Sequence, residues 1–100
     1  MPRKEDRVTY LKEVVLEFSS GRHTARISDI SAGGCYIDSI AQVSVGAGIT
    51  LHIAATDGSD AELNGRVAYV LEGNGFGVEF TSLADKQKQF LQSILTSSTG

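Results

Sequence analysis

Apolar and polar side chains alternate through most of the chain between Val8 and Phe80. An alternation with a period of two is typical of β-strands that bury one face. The pattern predicts about six strands, the first of them interrupted at Lys12. The apolar positions that share a face in each predicted strand are Val8, Tyr10, Val14, Leu16 and Phe18; His23, Ala25 and Ile27; Cys35 and Ile37; Ile49, Leu51 and Ile53; Leu63, Val67, Tyr69 and Leu71; and Phe76, Val78 and Phe80.

The segments between these strands have the composition of turns and connections. Gly73-Asn74-Gly75 predicts a tight hairpin turn, because glycine and asparagine accept the positive φ that such turns require. The other predicted breaks are Ser19–Gly21, Asp29–Gly34, Ile40–Gly48 and Asp57–Asp60. Short antiparallel strands must protect their edges, and closure into a barrel removes the edges altogether.

The periodicity changes after Phe80. Ser82-Leu83-Ala84-Asp85 matches a capping box and predicts a helix N-cap at Ser82. The residues that follow place apolar side chains on one helical face, at Leu83, Phe90, Leu91, Ile94 and Leu95. The fold class predicted is therefore all-β with one C-terminal helix: a six-stranded antiparallel β-barrel, with a helix over residues 82–97 packed on a barrel opening or flank.

A chain of 100 residues is long enough for one such domain. Residues 1–7 are polar and lack periodicity, so we expect a flexible arm ahead of the barrel, and the motif described below makes it a candidate ligand-binding arm. The barrel and its helix account for residues 8–97, and residues 98–100 are expected to form a frayed tail.

Charge and composition exclude several classes of function. The net charge is −3, and a protein that binds duplex nucleic acid needs a basic face. A single cysteine, Cys35, excludes an internal disulfide and a cysteine metal cluster. No run approaches the roughly 20 apolar residues of a membrane helix, and the charged first residues do not resemble a signal peptide. We therefore expect a cytoplasmic domain with no membrane insertion, no metal and no cofactor.

Two motifs carry groups suited to a small guanine-bearing phosphate ligand. Arg3 and Arg7 are four residues apart, about 5–6 Å on a helical turn and roughly 13 Å in extended chain. Arginine can chelate phosphate oxygens or the O6/N7 edge of guanine. In Asp29-x-Ser31-x-x-Gly34 the carboxylate can accept from the N–H groups of guanine, and the hydroxyl can serve phosphate or base. Gly34 permits a positive φ or a close approach of backbone to ligand.

Each motif alone has a common explanation, as solvated charge at a terminus or as an ordinary turn. Together, in this order and on this strand pattern, they favour a ligand site. The sequence resembles the PilZ domain family, whose hallmarks are an R-x-x-x-R arm and a D/N-x-S-x-x-G motif. Three further segments also resemble the family, namely Cys35-Tyr36-Ile37, Gly65-Arg66-Val67 and Gly77-Val78-Glu79-Phe80.

The resemblance implies a six-stranded barrel with a C-terminal helix, and a receptor for the bacterial second messenger cyclic di-GMP. It assigns the ligand to Arg3, Arg7, Asp29, Ser31 and Gly34, and it implies an arm that refolds on binding and signals to an effector protein in trans. The alternative within the same fold is a protein–protein interaction module that binds no nucleotide. The intact arginine pair counts against that alternative.

Other functions receive less support from the residues. His23 and His52 have no ligand partners nearby in sequence and are interpreted as strand residues, and Cys35 as a core residue. No paired carboxylates or activated nucleophile can be assigned, so we expect no enzymatic activity. A single-stranded nucleic-acid binder would need aromatic platforms and a basic groove. The seven aromatics lie mostly at apparent core positions, which disfavours that reading.

Overall fold

A computed structural model describes residues 8–54 and 60–99. The predicted arm at 1–7 and residues 57–59 of the predicted Asp57–Asp60 turn lie outside the described residues. The elements in chain order are β1 (Val8–Phe18), β2 (Gly21–Ile30), β3 (Gly34–Asp38), β4 (Gly48–Ala54), β5 (Asp60–Leu71), β6 (Gly75–Phe80) and α1 (Asp85–Thr99).

The six strands form a closed antiparallel barrel in the order β1-β2-β3-β6-β5-β4, which confirms the predicted fold class. β1 pairs with both β2 and β4, so the first strand closes the sheet. The β5–β6 hairpin turns as predicted: Gly73 has a φ of 81°, and the Asn74 N–H donates to the Leu71 carbonyl at 2.9 Å.

The barrel interior is filled by the inward-facing residues of all six strands. The predicted alternation holds along β1, β3, β4 and β6, whose apolar positions lie in the core or pack against it. Cys35 is one of these fully buried residues. Among the residues that the structure describes, fifteen buried apolar side chains form one cluster: Val14, Leu16, Ile27, Ile30, Cys35, Ile37, Ile49, Leu51, Ile53, Leu63, Val67, Phe76, Val78, Leu91 and Ile94.

One predicted core face is wrong along the second half of β5. Tyr69 and Leu71 were expected to share the inward face with Val67, but both are exposed. A register shift between Val67 and Tyr69 inserts an extra residue in β5, so the alternation changes phase and Val70 packs against the core instead. A bulge of this kind reverses the facing of every side chain that follows it.

The helix begins later than predicted. Ser82 has a φ of 45° and is exposed, so it is not the N-cap. Instead the Ala84 N–H donates to Gln87 Oε1 at 2.6 Å. In a capping box, the side chain three residues after the N-cap accepts a hydrogen bond from the N-cap N–H in this way. Ala84 is therefore the N-cap, two residues later than predicted. Gln87 Nε2 also donates to the Glu62 carbonyl, which ties the helix start to β5. α1 runs to Thr99, two residues beyond the predicted end.

The helix packs against β1 and β5. Leu91 and Ile94 are buried as predicted, whereas Phe90 is only half-buried. None of the helical residues described forms a segment long and apolar enough to cross a membrane.

Replacing Leu91 by alanine is expected to lower the free energy of unfolding by about 2–5 kcal/mol, because it opens a cavity between α1 and the barrel. Urea denaturation monitored by circular dichroism measures the change. Gln92→Ala is the matched control, since Gln92 is the adjacent, exposed residue and alanine is a good helix former. Equal stability of the two variants would contradict helix docking through Leu91.

Candidate functional site

The D-x-S-x-x-G motif, Asp29 to Gly34, spans the end of β2, the turn after it and the start of β3. Asp29 lies within β2, so the predicted break at 29–34 is shorter than expected and covers residues 31–33. β1 runs alongside: Val8 pairs with Ile30, and Thr9 pairs with Asp29. Arg3 and Arg7 lie outside the described residues.

A bulge in β2 determines which way Asp29 faces. Ile27 is buried, so an unbroken alternation would point Asp29 inward as well. The β2–β3 register shifts between Ile27 and Asp29, and Ile30 rather than Asp29 occupies the next buried position. The shift therefore places the Asp29 carboxylate on the outer surface, where it is half-buried between Thr9 of β1 and Tyr36 of β3.

Ser31 forms the turn between β2 and β3. Its N–H donates to the Gly34 carbonyl at 2.8 Å, and its hydroxyl donates to the same oxygen at 3.3 Å. The hydroxyl also accepts from the Gly33 N–H at 3.3 Å. Ser31 is 1% exposed. The extended backbone of β2 ends at Ile30, so Asp29 and Ser31 do not share one face of a strand, and Asp29 is half-buried whereas Ser31 is buried.

Gly34 is required by the packing of two strands. It pairs with Glu79 of β6, and a Cβ at this position would collide with the Val78 carbonyl oxygen. Gly34 is not among the glycines with positive φ. A positive φ was one of the two reasons predicted for this glycine, and it does not apply. The other was a close approach of the Gly34 backbone, and the structure shows such an approach to the backbone of β6.

The outer surface beside Asp29 carries a continuous row of paired residues from five strands. Thr9 pairs with Asp29, Asp29 with Tyr36, Tyr36 with Gly77, and Gly77 with Tyr69. Paired residues in antiparallel strands point to the same side of the sheet. The row therefore joins the motif carboxylate to two tyrosines.

Sequence reasoning did not identify either tyrosine as a candidate site residue. Tyr36 appeared only within a segment that resembles the family, and Tyr69 was assigned to the core. The glycines of Gly75-x-Gly77 could have indicated these tyrosines. Glycines at alternate positions of a strand leave one of its faces without side chains, so another group can cover that face. Partial burial, then the negative charges of Asp38, Tyr69 and Asp29, raise the pKa of the Tyr36 hydroxyl.

His52 has partners that the sequence did not reveal. Its Nε2 lies 2.7 Å from Glu17 Oε1 on β1, and its Nδ1 lies 3.7 Å from Glu62 Oε2 on β5. The hydrogen bond from His52, and then the charge of Arg22, lower the pKa of the Glu17 carboxyl. Within residues 8–54 and 60–99, no group of three or more His, Cys, Asp or Glu side chains could hold a metal ion.

The closed six-stranded barrel with its C-terminal helix is the architecture of one domain family. Residues 2–97 match the family model for the PilZ domain, and the chain belongs to that family. A comparison of the sequence with curated proteins gave no match.

Solved structures of PilZ proteins share the fold. The PilZ domain of YcgR from Escherichia coli, solved with c-di-GMP, superposes with a TM-score of 0.79 at 13% identity and covers 99% of this chain and 92% of that one. The PilZ domain of CeSA from a cellulose-synthesizing bacterium has a TM-score of 0.73 at 18% identity, over 95% and 99% of the two chains. The inhibitor of motility MotI/DgrA from Bacillus subtilis has a TM-score of 0.81 at 17% identity; the match covers 99% of this chain but 51% of MotI.

Gly34→Ala is expected to destabilise the barrel by about 1–3 kcal/mol, the usual cost of overpacking, because the new methyl group meets backbone that cannot rotate away. Gly48→Ala is the matched control, since Gly48 also lies in a strand and a Cβ there would meet nothing within 4 Å. Chemical denaturation of both variants measures the difference. A Gly34→Ala protein as stable as Gly48→Ala would show that the β6 backbone does not require this glycine.

Proposed function

We propose that this PilZ domain is a receptor for cyclic di-GMP. The observation that carries the proposal is the position of Asp29, outward-facing and paired with Thr9, two residues after Arg7. The β2 bulge and the β1–β2 register place Asp29 beside the start of β1, which follows Arg7 in the sequence, and this supports a site shared by the two halves of the family motif. Structures of YcgR, PlzA and MrkH that share this fold contain c-di-GMP, which supports the same ligand here.

The chemistry of the two halves is complementary. Asp29 offers carboxylate oxygens that can accept from the N–H groups on the Watson–Crick edge of guanine. The arginines offer planar donors for phosphate oxygens or for the O6/N7 edge of guanine. Ser31 and Gly34 hold the turn that presents Asp29. We therefore assign the direct contacts to Arg3, Arg7 and Asp29, and we assign Ser31 and Gly34 to the ligand site through the backbone that they shape.

The proposed output of the receptor is a change in the arm that an effector protein recognises in trans. Fixing the backbone of five residues from Arg3 to Arg7 costs about 5–10 kcal/mol at roughly 1–2 kcal/mol per residue. A hydrogen bond to a charged group contributes about 1.5–3 kcal/mol. Two arginines that each make two such bonds offset this cost, whereas one arginine does not. Ligand binding and arm ordering are then coupled, so an effector that recognises the ordered arm responds to the ligand.

Arg3→Ala and Arg7→Ala are each expected to weaken cyclic di-GMP binding at least about tenfold, which corresponds to ~1.4 kcal/mol. The double variant should lose most of the binding with its fold unchanged. Isothermal titration calorimetry measures the affinity, with GTP and cyclic GMP as ligand controls.

Arg22→Ala is the protein control for this experiment, because Arg22 is an exposed barrel arginine that pairs with Glu17. Arg7→Lys keeps the positive charge but removes the planar guanidinium. It therefore separates hydrogen bonding by the guanidinium from the electrostatic attraction between a positive side chain and the phosphates. Wild-type affinity in Arg7→Ala would show that Arg7 does not contact the ligand, whereas no binding of cyclic di-GMP by the wild type would favour the alternative, a PilZ-fold interaction module that binds no nucleotide.

Asp29→Ala is expected to weaken cyclic di-GMP binding while the melting temperature of the free protein changes little, because the side chain lies on the outer surface. Asp38→Ala is the matched control: Asp38 is another half-buried carboxylate beside Tyr36, but it lies outside the motif. Calorimetry and thermal unfolding are measured on both variants. If Asp29→Ala loses stability and keeps its affinity, Asp29 is a structural residue and not a ligand contact.

A further inference from the structure

An apolar groove of about 570 Å³ lies between the β3–β4 connection and the β5–β6 hairpin. The described residues that line it include Ile40, Val45, Val70, Leu71 and Glu72. Among the residues that the structure describes, five large apolar side chains are exposed, and three of them line this groove: Ile40 at 90%, Val45 at 65% and Leu71 at 52% exposure. Single exposed apolar side chains are normal, whereas a group of them around one depression is typical of an interaction site.

The hairpin wall of the groove is a consequence of the β5 bulge. The register shift that turns Tyr69 outward also turns Leu71 outward, while Val70 packs against the core between them. The cross-strand partner of Leu71 on β6 is Gly75, which has no side chain to cover it. The Leu71 side chain is therefore left open on the outer surface.

Backbone hydrogen bonds hold the opposite wall, the β3–β4 connection, at both of its ends. The Ser39 N–H donates to the Asn74 carbonyl of the hairpin at 3.4 Å, and the Gly46 N–H donates to the Val67 carbonyl of β5 at 2.7 Å. A partner that enters the groove does not have to order this wall first, which lowers the entropic cost of binding.

The charge of this half of the barrel indicates which partner fits. The sequence from Ile27 to Asp85 includes β3 to β6 and contains one lysine or arginine, Arg66, whose Nε donates to Glu79 Oε1 at 3.0 Å. The same stretch contains eight acidic residues: Asp29, Asp38, Asp57, Asp60, Glu62, Glu72, Glu79 and Asp85. Glu72 is also the one charged side chain among the described residues that line the groove. A basic partner is therefore attracted to this surface, and an acidic one is repelled.

The strand pairing favours a helical partner over an extended one. Each of β3, β5 and β6 has a neighbour on both sides in the closed barrel, so none of them offers a free edge to which a strand could be added. Recognition then relies on side chains, and an amphipathic helix presents a row of apolar side chains to a groove of this kind.

We propose that this groove docks an amphipathic helix of a partner protein. The apolar face of the helix packs on Ile40, Val45 and Leu71, and a lysine or arginine beside that face pairs with Glu72. The charge pattern gives the groove its preference for a basic helix, and the apolar side chains supply most of the affinity.

The docking groove goes beyond the receptor function and does not depend on it. The D-x-S-x-x-G turn lies at the start of β3, at Gly34, and the groove lies beyond its end, at Asp38. These two ends are about 13 Å apart along the strand at roughly 3.3 Å per residue.

Two synthetic peptides serve as probes of the full chain. Both carry leucines spaced to form one helical face on an alanine background, and the opposite face carries lysines in one peptide and glutamates in the other. Fluorescence anisotropy of the labelled peptides measures binding. The wild type should bind the lysine peptide at least about tenfold more tightly than the glutamate peptide, because both peptides offer the same apolar face and differ in charge.

Leu71→Ser and Ile40→Ser should each weaken binding of the lysine peptide at least about tenfold, because each removes apolar surface that the helix buries. Leu11→Ser is the matched control, since Leu11 is an exposed apolar residue of β1 and does not line the groove. It should bind as the wild type does.

Glu72→Lys should also weaken binding of the lysine peptide about tenfold, because it places a like charge beside the helix. Glu13→Lys changes the net charge by the same amount at an exposed residue of β1, outside the groove. It therefore measures how much of the effect comes from net charge alone, and its affinity should stay close to the wild-type value.

Several outcomes would overturn the proposal. Binding of neither peptide, or equal binding of both, would contradict a groove for a basic helix. If Leu11→Ser and Glu13→Lys weaken binding as much as the groove variants, the peptide is held by the surface in general. If sedimentation shows a dimer that Leu71→Ser abolishes and Leu11→Ser does not, the occupant is a second copy of the chain. Should Leu71→Ser fail to fold by circular dichroism, Ile40→Ser decides, because Ile40 is almost fully exposed.

Calorimetry with cyclic di-GMP separates this groove from the receptor function. Leu71→Ser should bind cyclic di-GMP as the wild type does. A wild type that binds cyclic di-GMP and neither peptide overturns the groove and leaves the receptor function standing. A wild type that shows the expected peptide pattern without binding cyclic di-GMP supports the groove and overturns the receptor function alone.

Discussion

Closure of the sheet by the pairing of β1 with β4 is the constraint on which the rest of the structure depends. The described contact is short, with three cross-strand pairs: Val15 with His52, Leu16 with Leu51, and Glu17 with Thr50. Without it both strands would present unpaired edges. The hydrogen bond between Glu17 and His52 crosses this seam, and His52 continues the contact toward Glu62 on the next strand. A histidine that seemed isolated in the sequence thus links three strands of the closed barrel.

Strand pairing also explains why the D-x-S-x-x-G motif combines different kinds of residue. β1 pairs with β2 over most of its length, so the start of β1 lies beside Asp29. The turn after Asp29 is held by the Ser31 hydroxyl and by the close contact of Gly34 with the β6 backbone. Loss of binding after a change at Ser31 or Gly34 therefore does not identify a ligand contact, because the same change alters the backbone that positions Asp29.

Much of the fold could be predicted from local pattern. Alternating runs such as Ile49, Leu51 and Ile53 predicted β4 correctly, because each strand buries one face in a single core. Glycine chemistry predicted the β5–β6 turn. The helix was predicted, but its N-cap was assigned to Ser82. The actual start uses the Gln87 side chain, which also bonds to Glu62 on β5, and a contact so distant in sequence leaves no local signal.

The sequence by itself determined the number and type of the elements, the identity of most core residues and the presence of the two motif halves, because these depend on periodicity and residue chemistry. Only the tertiary structure decided which way Asp29 and Tyr69 face. Both follow a register shift, at Ile27/Asp29 in β2 and at Val67/Tyr69 in β5, and each shift reverses the alternation on which the sequence argument relied. Curving a sheet into a small closed barrel favours such bulges, and their positions depend on the neighbouring strands as well as on the residues that form them.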